Sequence, residues 1–342
     1  MTSHSKVVTR AKVLGAVAAA CPGGVSSPAA LEELCDRVLA DPRAVRLPRA
    51  GAAHMSNSER YTSFDVLEAE RTIIEAAKRR QRSGAAQVSA ETTLAAVRAF
   101  QAHRGFALSE EQRRTLSRLL VGGHGIDAVI GVAGAGKTTI MAAAKQAWEA
   151  AGYTVAGAST AAIAAGNLQV EAGIDSRTVA SWAKRIREGA GGLEGVDVLV
   201  VDEAAMVDDR SMALLVAEAD RTGTKIVGIG DPKQFPAVGI GGGFKRIYEI
   251  VDGVALTENR RQREEADRQA LQVWREGARH TTLATWGERG RVHAPADAPE
   301  AYDQIAAAWR ADRHRSGDVH EAISSVLVMA AYNRDVRQIN AR

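Results

Sequence analysis

The sequence predicts an α/β fold built around a buried parallel sheet that carries a phosphate-binding loop. Three observations predict it. Gly131-Val132-Ala133-Gly134-Ala135-Gly136-Lys137-Thr138 fills every demanded position of the pattern G-x-x-x-x-G-K-[ST]. An apolar run, Asp127–Val132, precedes the loop and an alanine-rich run, Thr138–Ala151, follows it, which reads as strand, loop and helix. Two more apolar runs, Gly195–Val201 and Lys225–Gly230, end in Asp202-Glu203 and Asp231-Pro232, as strands buried on both faces do.

The bulk chemistry suits a soluble protein of two or three domains. The chain has 342 residues, 46% hydrophobic and 25% charged. A net charge of +3 neither requires nor excludes a polyanionic partner. No run reaches the roughly 18 apolar residues of a membrane span. Lys12–Cys21 has the look of a short export signal, but Pro22-Gly23-Gly24 stops it at once, so an amphipathic helix is expected. Cys21 and Cys35 lack metal-like spacing and read as thiols of a reducing cytosol, which makes the expected location cytoplasmic.

Taken in order, residues 1–58 read as a helical accessory or linking segment, with helices near Arg10–Ala20 and Pro28–Ala40 and a loop from Asp41 to Ser58. Residues 59–106 read as an N-terminal helical region in which Thr62 or Ser63 caps a helix running to Arg82. Its basic end, Lys78-Arg79-Arg80-Gln81-Arg82, is either a solvated helix terminus or a nucleic-acid contact. Ser109 with Gln112 three residues on forms a capping-box pattern. Gln112 is then a helix start, or an amide placed to face the donor and acceptor of an adenine edge.

Residues 107–254 are expected to form the first nucleotide-binding domain. Gly131, Gly134 and Gly136 let the backbone aim several N–H groups at a polyphosphate, with the following helix adding its positive end. Lys137 is expected to reach the outer phosphates and Thr138 to hold Mg²⁺. Tyr153–Ala158 reads as a second strand ending in Ser159-Thr160, hydroxyls that cap a helix or bind DNA phosphate. Ser176 and Thr178 read as the start of a helix whose Trp182 belongs to the core. Asp202 is assigned to the metal and Glu203 to the general base that orients the attacking water. Gln234, in Asp231-Pro232-Lys233-Gln234-Phe235-Pro236, offers a neutral amide to sense the γ-phosphate. In Leu256-Thr257-Glu258-Asn259-Arg260-Arg261-Gln262 an arginine is placed to act as an arginine finger, or the run is a solvated basic stretch. Residues 255–342 then read as the start of a second domain, with helices near Ala266–Gly277 and Glu300–Ala311, a strand at Ser325–Ala330 and a helix behind it.

Together GVAGAGKTT, DEAAM, GDPKQFPAVG and LTENRRQ resemble the ordered motifs of RecD-like superfamily 1 DNA helicases, P-loop ATPases of the AAA kind. RYTSFDVLEAE, ALSEEQRR and VLVMAAYNRDVRQIN are similar to the helicase region of conjugative relaxases of the MobF type. This resemblance implies a RecA-like P-loop NTPase sheet, with an incomplete second RecA-like domain, that uses ATP and Mg²⁺ to move single-stranded DNA, 5′ to 3′, alongside other conjugation proteins. It makes Gln112 the adenine contact. Gly134, Ala135, Gly136, Lys137, Thr138 and Thr139 become the phosphate site, and Thr138 with Asp202 the metal site. Lys137, Glu203, Gln234 and Arg261 become the catalytic set. It also implies two further motifs late in the second domain, so the chain is expected to be a fragment, a truncated gene product or an interior piece of a larger relaxase–helicase. A non-catalytic module that binds single-stranded DNA on the same scaffold is the alternative.

Overall fold

The computed structural model describes residues 2, 5–48, 59–262, 264–315 and 326–342. It divides into two compact units, one ending at Gln262 and one beginning at residue 263. The first unit opens with β1 (Val8–Thr9), α1 (Arg10–Ala19), α2 (Pro28–Leu39), β2 (Ala44–Arg46) and β3 (Arg60–Ser63). The strands make a small antiparallel sheet in the order β1-β3-β2 over Val13, Cys35 and Tyr61. Neither short strand pairing was expected from the sequence, and residues 49–58 of the expected loop lie outside the described residues.

Three helices follow: α3 (Phe64–Arg79), α4 (Ala90–Arg104) and α5 (Glu110–Val121). Ser63 occupies the N-cap position of α3 but makes no side-chain cap bond, whereas α5 begins in a complete capping box of Ser109 and Gln112. Next come β4 (Ile126–Gly131), α6 (Lys137–Ala150), β5 (Val155–Ser159), α7 (Ala162–Ala172), β6 (Asp175–Thr178), α8 (Val179–Arg187) and β7 (Val198–Val201). The unit closes with α9 (Asp209–Thr222), β8 (Lys225–Gly230), α10 (Gly243–Val251) and β9 (Val254–Leu256).

These last six strands form one parallel sheet in the order β6-β5-β7-β8-β4-β9. Alternation explains why its central strands read as unbroken apolar runs. Val198 and Val200 of β7 face the core beneath α4, α5 and α6, while Leu199 and Val201 face the core beneath α3, α8, α9 and α10. Trp148 of α6 fills the first core, its indole N–H donating to Ala86 O. Trp182 of α8 fills the second and donates to Gly157 O, so its expected core role holds.

Two expectations change here. The segment Asp175–Thr178 is an edge strand rather than helix; only Thr178 caps α8, its hydroxyl accepting from the Ser181 N–H. The apolar side chains that would have marked a strand are missing from Asp-Ser-Arg-Thr, and pairing with β5 alone imposes the extended form. The basic run ending α3 is exposed at Lys78, Arg79, Gln81 and Arg82, as a solvated helix end is, but not at Arg80. Arg80 is 6% exposed and donates to Thr224 O at 2.7 Å, and Arg79 pairs with Asp220.

That guanidinium belongs to a buried polar cluster at the amino edge of the sheet. Lys225, with no exposed surface, bonds Asp127 Oδ2 at 2.8 Å and also donates to His124 O. Arg118 Nε reaches the other oxygen, Asp127 Oδ1, at 3.0 Å. Burial pushes the Lys225 ammonium below the ordinary lysine range, against the attraction of Asp127.

The second unit contains α11 (Glu265–Arg275), α12 (Arg279–Glu288), α13 (Ala298–Arg315) and α14 (Asn333–Asn340). Trp274 and Trp286 stack between α11 and α12, with ring centroids 6.1 Å apart. The strand expected at Ser325–Ala330 does not form over 326–330, and Ser325 lies outside the described residues. A strand needs a neighbour to complete its ladder, and the described residues of this unit supply none.

Removing Lys225 leaves buried Asp127 with a charge only partly compensated. Lys225→Ala should therefore cost about 3–5 kcal/mol of stability in urea unfolding. Lys145→Ala, which breaks the surface pair with Glu149, should cost under about 1 kcal/mol.

Candidate nucleotide-binding site

The loop between β4 and α6 turns tightly enough that side chains are excluded at three places. Gly134 and Gly136 both hold φ +81, a left-handed conformation that L side chains rarely adopt. Gly131 is extended, but a Cβ there would sit 2.6 Å from Cγ and Cδ of Lys137, so its hydrogen makes room for the lysine stem. Lys137 folds back over the loop, donating to Gly131 O at 3.2 Å, and its ammonium stands 3.9 Å from Glu203 Oε1. Thr138 and Thr139 follow in the first turn of α6, both half-buried, and Ala135 is buried beneath the loop. The amino end of a long helix thus opens onto a concave run of backbone with a cation at its lip.

Sheet order brings the other groups alongside. β8 lies between β4 and β7, so the carboxyl ends of three neighbouring strands carry the loop, Asp231 and the Asp202-Glu203 pair. Glu203 adopts φ +49, ψ +40, a left-handed conformation costing a non-glycine residue of order 1–3 kcal/mol. The turn it makes passes so close to β8 that a Cβ on Gly230 would lie 2.9 Å from Ala205 N and 3.0 Å from Ala204 N. Burial raises the pKa of Asp202, opposed by the Glu203 backbone N–H and by Lys137. Burial also raises Glu203, opposed by Lys137 and reinforced by Asp202 and Asp231. Glu203 Oε2 is buried without a hydrogen-bond partner among the described residues, as suits an atom that receives a water or ligand proton.

Two segments bracket the loop. Gln112, 3% exposed, accepts the Ser109 N–H through Oε1 at 3.0 Å and donates through Nε2 to Ala135 O at 3.3 Å. Its amide lies so near that a Cβ on Gly136 would be 2.7 Å from Nε2. The structure therefore makes Gln112 a helix cap whose buried amide also braces the phosphate loop. On the other side, the chain after β9 crosses Gly134. Arg260 N donates to Gly134 O at 2.9 Å, and a Cβ on Gly134 would be 2.7 Å from both Arg261 Cβ and Asn259 Oδ1. Arg260 and Arg261 remain exposed.

The structure thus brings together Gln112, Gly134, Ala135, Gly136, Lys137, Glu203 and Arg261. Gln234 stands exposed on the turn after β8, its N–H closing onto Asp231 O. Ser159 is fully buried, which removes it as a surface phosphate contact. Sequence reasoning passed over Glu111, Asn259 and Gly230; the first two were visible only as neighbours of Gln112 and Arg261.

A phosphate loop, an acidic pair one strand removed and a buried parallel sheet define a P-loop nucleotide-binding domain. The chain belongs to the AAA domain family, whose match spans residues 107–297. It is 35% identical over 319 residues to the probable conjugal transfer protein TraA of Sinorhizobium fredii, and 34% over 319 to the conjugal transfer protein TraA of Agrobacterium fabrum. With TraA of Rhizobium radiobacter it shares 32% over 322 residues. Each alignment covers 92% of this chain and 28% of the relative, so the chain spans little more than a quarter of their length. Among the described residues, no helix is long and apolar enough to cross a membrane.

The raised carboxyls make a stability prediction for the nucleotide-free protein. An acid whose folded pKa exceeds its unfolded one favours the folded state when protonated. Stability is therefore lost as pH rises from the ordinary carboxylate range through the raised values, and stays lost above them. Asp202→Asn and Glu203→Gln should each melt higher than the parent at pH 7, with the gap closing as pH falls toward about 4.

Proposed function

We propose that this chain is the ATP-hydrolysing motor segment of a conjugal transfer protein, coupling hydrolysis to movement along single-stranded DNA. The observation that carries the reading is Lys137 held between the loop carbonyl of Gly131 and the carboxylate of Glu203. The two groups needed at either end of a γ-phosphate already face one another. The glycine cradle and the orphaned Glu203 oxygen fit a nucleotide with its Mg²⁺ and attacking water.

In this reading the loop N–H groups at Gly134, Gly136 and Thr139 hold the phosphates, the Ala135 N–H closing the loop onto Val132 O, and Lys137 stabilises charge on the outer ones. Thr138 and Asp202 would hold Mg²⁺, which supplies charge neutralisation on the phosphates when bound. Glu203 orients water and accepts its proton, a role helped by a pKa already moved upward. Gln112 contacts the base. Arg261 meets the transferring phosphoryl from above Gly134, and Gln234 links phosphate state to DNA. The chain beyond Gln262 is read as the start of a second RecA-like domain, not the chain beyond Val254, since β9 and Arg261 fall within the first unit. Its closure against the first moves the strand, 5′ to 3′ as in the helicases the motifs resemble. The three TraA relatives, named as conjugal transfer proteins, support the setting.

The alternative, a DNA-binding module without catalysis, is weakened by the intact Lys137, Asp202 and Glu203. Steady-state ATP hydrolysis with and without single-stranded DNA separates the two. Stimulation by DNA is expected, with a loss of about a hundredfold or more in Glu203→Gln. Nucleotide binding with no turnover in either condition overturns the motor reading.

A further inference from the structure

Two consecutive side chains in the first turn of α5 grip different parts of the site. Gln112 holds the phosphate loop at Ala135. Its neighbour Glu111 reaches across to the segment after β9. Oε1 of Glu111 accepts the Thr257 N–H at 2.7 Å and the Thr257 hydroxyl at 2.8 Å, and Oε2 accepts the Glu258 N–H at 3.2 Å.

An acid at a helix start is common, because the dipole favours it. Three hydrogen bonds accepted from one distant segment exceed that role. Thr257 and Glu258 lie just past the last paired residue of β9, where no strand continues to satisfy their N–H groups. The Glu111 carboxylate takes the place of that strand. At its far end the same segment rests on the loop through Arg260 N and Gly134 O, and Asn259 Oδ1 accepts the Arg261 N–H at 3.0 Å. The arginine segment is thus suspended between two supports, Glu111 and the phosphate loop, with Arg261 at the loop end.

We propose that Glu111 is a positioning residue: its carboxylate fixes where Arg260 and Arg261 stand over the phosphate loop. The proposal rests on the reading of Arg261 as the phosphate-facing arginine. It explains how the arginine can be held ready from within the same compact unit as Lys137. Charge-assisted bonds from a rigid helix turn make an orientation that a flexible loop cannot keep unaided.

The test compares Glu111→Ala, Glu111→Gln, Arg261→Ala and the Glu111→Ala/Arg261→Ala double variant. Glu111→Ala should lower kcat for ATP roughly ten- to a hundredfold while KM moves little, the mark of misplacement rather than lost binding. Glu111→Gln, which keeps a carbonyl oxygen for Thr257, should recover most of that loss. The double variant should be little worse than Arg261→Ala, since one residue acts through the other. Additive losses, or a fall in kcat no larger than the loss of folded protein seen in urea unfolding of the same variant, overturn the proposal. Amide hydrogen exchange of the same variants decides it even if the parent hydrolyses no ATP, an outcome that would sink the motor reading alone. Faster exchange confined to Thr257–Gln262 in Glu111→Ala upholds the proposal, and unchanged exchange there overturns it.

Discussion

Parallel pairing of β4 with β8, and of β8 with β7, is the constraint on which the site depends. It sets three carboxyl ends side by side, so a cation-bearing loop, a buried aspartate and an acidic pair share one edge. None of these groups is close in sequence; strand register alone aligns them. The close approaches then follow. With β7 and β8 one strand spacing apart, the turn through Ala204 and Ala205 can pass only where Gly230 has no side chain.

The two edges of the sheet solve opposite electrostatic problems. At the amino edge, charges are buried and matched: Asp127 receives Lys225 on one oxygen and Arg118 on the other. At the carboxyl edge they are half-buried and left mismatched. Asp202 and Glu203 are desolvated beside one another, with Lys137 as a partial counter-charge. A fold that anchors one edge firmly can hold strain and repulsion at the other, the arrangement that ligand sites commonly use.

Most of this arrangement was legible in the sequence. Gly131 to Thr138 announced the loop, and the apolar runs before Asp202 and Asp231 announced their strands, because a doubly buried strand has no polar face to obscure it. Elements fixed by partners rather than by their own residues were not legible. Asp175–Thr178 becomes a strand only beside β5, while 326–330 has apolar side chains and forms none. Arg80 looked like a solvated cation, since nothing local shows that Thr224 O waits across the fold. Glu111 was hidden for the same reason: its partners lie 146 and 147 residues away in the chain.

The resting position of Lys137 has a consequence for ligand binding. Its ammonium already has an anion at 3.9 Å and a carbonyl at 3.2 Å, so the loop meets a ligand with its cation engaged rather than waiting. A polyanion that reached the ammonium would compete with Glu203 for it. A ligand too short to reach the ammonium leaves that internal pair in place. Binding at the ammonium would exchange one ionic partner for another, so its net electrostatic gain would be smaller than at an unengaged lysine.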